Sequence, residues 1–192
     1  MNYQELLTHR RSIRDYQDKD IPTEIIYEIL HDTCLAPSAT NKQPWQFAVI
    51  NDKTLIKQLS DENKKNLLAD IKANPESLYK RFEARLEDPN YNVFYNAPSL
   101  IIVGGKHNYG WFLQDCSLCV TYLMLAAVER GLGTCWIGLG AQIKDKELRE
   151  KIGLYPDFEI VAPIILGVPK NIPPSTPRNA PVILKANSPH DK

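Results

Sequence analysis

The sequence carries no excess of charge of either sign: 23 Lys and Arg stand against 23 Asp and Glu. No whole-molecule field gathers a polyanion, so nucleic acid is excluded as an expected partner, and any phosphate has to be held by a local cluster. Long apolar runs are missing too. The longest, around Cys119 to Val128, is interrupted by Thr121 and Tyr122 and falls short of a bilayer span, so no membrane partner is expected. No apolar stretch follows Asn2-Tyr3-Gln4-Glu5, which argues against a secretory leader and for a cytoplasmic protein. Four cysteines are then expected as free thiols rather than a disulfide framework. Internal repeats, low-complexity tracts and any Ser-His-Asp or Cys-His arrangement are absent; His9, His31, His107 and His190 are scattered.

What is present is the material of one folded domain spanning 1–192. The chain is long enough for one sizeable core, and 43% hydrophobic with 24% charged residues is a globular composition. A short helix is expected over 3–9. A second follows Thr23 as N-cap, with Ile25, Ile26, Ile29 and Leu30 on one face. Trp45 to Ile50 reads as a strand. Residues 53 to about 87 read as two helices broken at Asn74-Pro75, and 99–104 as a buried strand stopped by two glycines. The longest helix runs from Trp111 to Arg130, apolar on most of its circumference, which asks for burial on most sides and makes a partner subunit a natural cover. A short helix over 145–152 precedes a strand over 160–168, whose Pro163 suggests an edge or a bulge. Six prolines mark 169–192 as an extended C-terminal arm. This order predicts an α+β fold with helices on both faces of a small sheet.

Three segments could carry chemistry. Arg10, Arg11, Ser12 and Arg14 suit a phosphate, since guanidinium binds it bidentately and a hydroxyl adds a donor; a solvated basic helix end is an equally good reading. The loop Pro37 to Gln43 brings amide and hydroxyl side chains between a helix and a strand, as an ordinary turn-rich loop also would. Gly131 to Gly138 has the spacing G-x-G-x-x-x-x-G after a helix, so it is not the dinucleotide fingerprint.

Taken together, Arg10-Arg11-Ser12-Ile13-Arg14, Ala36-Pro37-Ser38-Ala39-Thr40-Asn41-Lys42-Gln43-Pro44-Trp45 and Gly131-Leu132-Gly133-Thr134-Cys135-Trp136-Ile137-Gly138 closely resemble three segments of the nitroreductases, in the same order. The resemblance runs from residue 3 to about 178 and is weakest over 53–92. It implies a three-layer α/β/α sandwich with a small, mainly antiparallel sheet, in an intertwined homodimer that holds FMN between the subunits. By that resemblance Arg10, Ser12 and Arg178 hold the phosphate and ribityl end, and Arg11 adds main-chain or phosphate contacts. Arg14 would sit by the pyrimidine edge of the flavin. Pro37, Ser38, Ala39, Asn41 and Gln43 would come from the second chain, and Ile137 and Gly138 would offer backbone amides near N5. Many relatives carry a glutamate where Ile137 stands. The implied chemistry is ping-pong transfer of hydride from NADH or NADPH through the flavin to a nitroaromatic or quinone-like small-molecule acceptor. No side-chain nucleophile is required, because the cofactor carries the reaction. Dehalogenation, enone reduction or flavin fragmentation on the same fold stays open, as does a non-catalytic FMN carrier or sensor.

Other signals weigh less. Cys116-Ser117-Leu118-Cys119 lies in the long apolar helix and reads as core rather than as a dithiol or metal site. Trp45 is expected in the core, while Trp111 and Trp136 could stack on a ligand. The segment Arg81 to Tyr95, with Phe82, Tyr91, Phe94 and Tyr95, is a candidate cover for the active site.

Overall fold

The structure, a computed structural model, describes residues 1–184. Residues 185–192, the end of the expected arm with His190, lie outside it. Helix α1 spans Tyr3–His9 because Asn2 and Glu5 cap it reciprocally: the Asn2 side chain accepts from the Glu5 N–H at 3.0 Å and Glu5 accepts from the Asn2 N–H at 2.9 Å. Helix α2 spans Thr23–Thr33, so Thr23 is the first helical residue rather than the cap. Pro22 occupies the cap position with φ already at −55°, close to the helical value. Strand β1 is Gln46–Ile50. Helix α3, Lys53–Ala73, is capped by the Asp52 carboxylate and stops before Asn74-Pro75 as expected, because a residue before proline avoids the helical region. The second helix of this region, α4, is only Glu83–Glu87.

Strand β2 is Ser99–Lys106 and does not stop at the glycines. A Cβ on Gly104 would be driven into the Glu159 carbonyl, so glycine here lets two strands close up. Helix α5 is Phe112–Glu129, strand β3 Gly133–Trp136, helix α6 Lys146–Lys151 and strand β4 Phe158–Gly167. The sheet order is β1-β2-β4-β3, with every pairing antiparallel. Pro163 therefore sits in an inner strand, which excludes the edge and leaves the bulge of the two positions expected of it. The Pro163 carbonyl accepts from the Ile137 N–H at 2.9 Å, and a strand residue's N–H and C=O point to the same side. The missing N–H thus faces the place where β3 has just ended, and no ladder bond is lost. A bulge in the β2–β4 pairing lies beside it, between Val103 and Gly104.

Helices cover both faces. Along β2, Leu100 and Ile102 point into a core with Ile56, Leu59 and Leu67 of α3, while Ile101 and Val103 point into a second core with Ile26 and Ile29 of α2 and Phe112, Cys116, Cys119 and Leu123 of α5. This is the alternation of a strand buried on both sides. By length and composition α5 does match a membrane-crossing helix, which corrects the view that no segment comes near one. Its buried face against the sheet makes it a core helix. All four cysteines are free, with Cys34 exposed and the other three buried.

Candidate active site

After α1 the chain runs extended along the outer edge of β3. The Ile13 N–H donates to the Thr134 carbonyl at 3.0 Å, and Ser12 bridges Thr134 in parallel. Ile13 and Tyr16 are buried and pin the segment, with the Tyr16 hydroxyl donating to the Ile13 carbonyl at 2.8 Å. Arg14 points outward. Burial pushes the Cys135 thiol up, with Arg14, Ser12 and Arg10 pulling it partly back. Arg11 is turned the other way. Its Nη1 donates to the Arg10 carbonyl at 2.7 Å, its Nε is buried without a partner, and it lines a smaller hollow with Ile13, Gly133 and Pro169.

A cleft of about 560 Å³ opens where Arg14 meets the end of β3. Its lining is Arg14, Trp136, Ile137, Gly138 and Leu139, together with Leu78, Tyr79, Arg81, Phe82, Arg85, Tyr91 and Tyr95 from the chain around α4. That volume suits a small organic ligand. Ile137 lines the cleft, yet its amide is already committed to Pro163, which corrects the expectation that it is offered to a ligand. Gly138 opens a short 3-10 turn over Gly138–Ala141, so its N–H has no partner inside that turn. A Cβ there would meet nothing within 4 Å, so the bare backbone is open to a flat ring.

Of the residues expected to cover the site, Phe82, Tyr91 and Tyr95 line the cleft and Phe94 does not; it is fully buried beneath. Burial first, and Tyr95 second, push the Tyr91 hydroxyl up to about 12, so it stays a donor at neutral pH. Tyr91 and Tyr95 meet edge to face with ring centres 6.0 Å apart. Trp136 lines the cleft, Trp111 is exposed and Trp45 is buried in the core.

The loop 37–43 is built around another residue, Asp115. This carboxylate is 3% exposed, accepts from the Ala39 N–H at 3.0 and 3.2 Å, and takes the Tyr109 hydroxyl at 2.5 Å. Ser38 Oγ accepts from the Gln43 N–H at 2.9 Å, and Gln43 Nε2 donates to Asn41 Oδ1 at 2.8 Å. Thr40, Asn41 and Gln43 hold positive φ values of 52°, 56° and 46°, a strained arrangement for residues with side chains. Within one chain the cleft is lined by Arg14, Ile137 and Gly138, whereas Arg10 and Ser12 do not line it. Pro37, Ser38, Ala39, Asn41 and Gln43 do not line it. Arg178 is also apart, exposed on the arm and donating to Thr176 Oγ1 at 2.7 Å.

Sequence reasoning missed Arg85, Leu78, Tyr79 and Leu139 as cleft residues, and Asp115 as the anchor of the loop. For Arg85 a signal existed: it lies four residues after Arg81, with Phe82, Tyr91 and Tyr95 close by in sequence. For Asp115 there was none, because the loop residue it anchors, Ala39, is 76 residues away.

The family model described as the nitroreductase family matches residues 7–168. A protein of Archaeoglobus fulgidus carrying the name NADH dehydrogenase/NAD(P)H nitroreductase is 31% identical over 163 residues, covering 84% of this chain and 82% of its own. Among solved structures, a nitroreductase with bound FMN from Bacteroides fragilis superposes with a TM-score of 0.83 at 23% identity, over 97% of this chain and 100% of that one. A nitroreductase with bound FMN from Desulfitobacterium hafniense gives 0.74 at 25% identity, over 93% and 95%. With its antiparallel sheet between two helical layers and its sequence matched over most of its length, the chain belongs to the nitroreductase family.

Proposed function

We propose that the chain is an FMN-dependent oxidoreductase that takes electrons from NADH or NADPH and passes them to nitroaromatic or quinone-like acceptors, working as a homodimer. One observation carries the reading: a cleft in which the Arg14 guanidinium and the Gly138 N–H, which its own turn leaves without a partner, converge beside aromatic walls. The FMN-bound relative at 25% identity supports the choice of cofactor. Bound FMN supplies the two-electron chemistry between a nicotinamide and an acceptor. The residues present fit that group. Arg14 would place a fixed positive charge where a reduced flavin carries negative charge, and Gly138 would offer its amide to the redox-active edge of the ring. Arg10 and Ser12, with Arg178, would hold the phosphate end, while Arg11, turned to a separate hollow, would contribute through its main chain. Tyr91, Tyr95 and Phe82 would exclude water and stack on the acceptor.

A second chain is what the reading needs to bring loop 37–43 and Arg178 to the cleft. Support comes from the apolar surface that a single chain leaves open: Leu113, Leu118 and Tyr122 on α5, with Tyr27, Leu35 and Trp111. Exposed apolar side chains in this number suit coverage by a second subunit. The first test is absorbance coupled to light scattering on the purified protein, expected to give a flavin spectrum and twice the chain mass. The second is FMN titration of the stripped protein. Arg10→Ala and Arg178→Ala should each weaken FMN by about 1.5–3 kcal/mol, the usual worth of a charge-assisted hydrogen bond; unchanged affinity in both rejects the phosphate site.

A further inference from the structure

The cleft has a charge that flavin binding by Arg14 does not explain. Arg81 and Arg85 line it together with Arg14, and no Asp or Glu does. Among the described residues neither Arg81 nor Arg85 forms an ion pair; the nearby Glu83 is taken by Lys80 at 2.7 Å. Their guanidiniums are held by aromatic faces instead. Arg81 lies 4.7 Å from the Phe82 ring centre, and Arg85 lies 4.5 Å from Tyr91 and 5.4 Å from Tyr95. Stacking of this kind orients a guanidinium while leaving its in-plane N–H donors free, and those donors match a carboxylate two at a time. A cleft lined by unpaired cations with no carboxylate repels itself until an anion enters, and the aromatic walls favour a flat ring. Tyr91, protonated at neutral pH, adds a neutral donor.

We propose that the acceptor taken by this cleft is an aromatic compound bearing an anionic group such as a carboxylate, with Arg81 and Arg85 as the residues that select for it. This rests on the reading of the cleft as the acceptor site of a flavin oxidoreductase. For a nitro acceptor the first step balances as one hydride from NAD(P)H and one proton from solvent, which together convert the nitro group to nitroso and release one of its oxygens as water: ArNO2 + NAD(P)H + H+ gives ArNO + NAD(P)+ + H2O. The anionic substituent is unchanged throughout.

The test is calorimetric titration of the oxidised protein, supplied with FMN, with 4-nitrobenzoate and with its uncharged methyl ester, without any reductant. The wild type is expected to bind the acid at least about tenfold more tightly than the ester, and Arg85→Gln and Arg81→Gln to reduce that ratio, the pair together abolishing it. Equal binding of acid and ester by the wild type overturns the proposal, as does a ratio that survives in the double variant. A second arm compares NADPH with NADH as donors. If the double variant loses a preference between these two while the acid-to-ester ratio stands, the arginines serve the nucleotide's extra phosphate and the proposal falls. Flavin content is read from absorbance in the same samples. A protein that takes up no FMN rejects the oxidoreductase reading, whereas a yellow protein indifferent to the carboxylate rejects only the anionic acceptor.

Discussion

Asp115 is the residue on which the loop 37–43 depends. A buried carboxylate that satisfies a backbone N–H and a phenol is costly to remove, because both donors are then stranded. Asp115→Ala is expected to cost about 2–3 kcal/mol, a fall of several degrees in melting temperature for a chain of this size, while Tyr109→Phe, which removes a donor along with its need, costs less. Thermal unfolding of both variants checks the order; equal losses would mean that Asp115 acts through something other than these two bonds. The three positive φ values in the loop give a further reason for the anchor, since a strained turn persists only when its surroundings hold it. At the same scale, Ile137 shows how a backbone group changes meaning with context. Its amide is free in the sequence and is spent on Pro163 in the fold.

At the scale of elements, α5 joins several properties of the molecule. Its buried face carries Cys116 and Cys119 into the second core, and burial first, with the Asp115 charge next, pushes the Cys116 thiol from 9.0 up to about 12; burial also raises Cys119. The sign follows directly. Below about pH 9 the thiols are protonated whether the chain is folded or not, and stability does not change on their account. Between there and about pH 12 the unfolded chain releases the Cys116 proton while the folded one retains it, so stability falls as pH rises. Urea unfolding midpoints at pH 8, 9.5 and 11 should therefore decline, and the decline should be shallower in Cys116→Ala, even though that variant starts lower through lost packing. A midpoint that is level to pH 11 in the wild type counts against the buried thiols. The same burial takes the C-x-x-C out of redox use, since the reactive form is the thiolate. β4 teaches a related lesson, for proline is excluded from an inner strand only where its missing N–H would have had a partner.

For the whole molecule the C-terminal arm decides most. From Lys170 to Leu184 it is exposed and holds no helix or strand, and its apolar Ile172, Val182, Ile183 and Leu184 face solvent in a single chain. Removing residues 171–192 should leave the far-ultraviolet dichroism of the rest nearly unchanged, because so little of that fold is covered by the arm. Under the proposed dimer the truncation should nevertheless raise the subunit dissociation constant and weaken FMN, the latter at least as much as Arg178→Ala does. Light scattering across a dilution series and FMN titration measure the two. A truncated protein with unaltered subunit mass and FMN affinity would remove the arm from the site.

Much of this protein was legible in its residues. Local signals indicated the short helix over 3–9, the helix beginning at Thr23, the long helix between Trp111 and Arg130, the break at Asn74-Pro75 and the presence of the apolar strands, since capping, periodicity and proline chemistry act over a few neighbours. The three motif segments identified the family for the same reason: each is a short stretch whose residues work together. Only the tertiary structure decided that Pro163 is internal, that β2 passes through Gly104-Gly105, that Asp115 reaches Ala39, and that Arg81 and Arg85 stand beside Arg14. Those facts depend on which distant segments meet, and that is set by burying two apolar faces of one sheet at once rather than by any preference local to the chain.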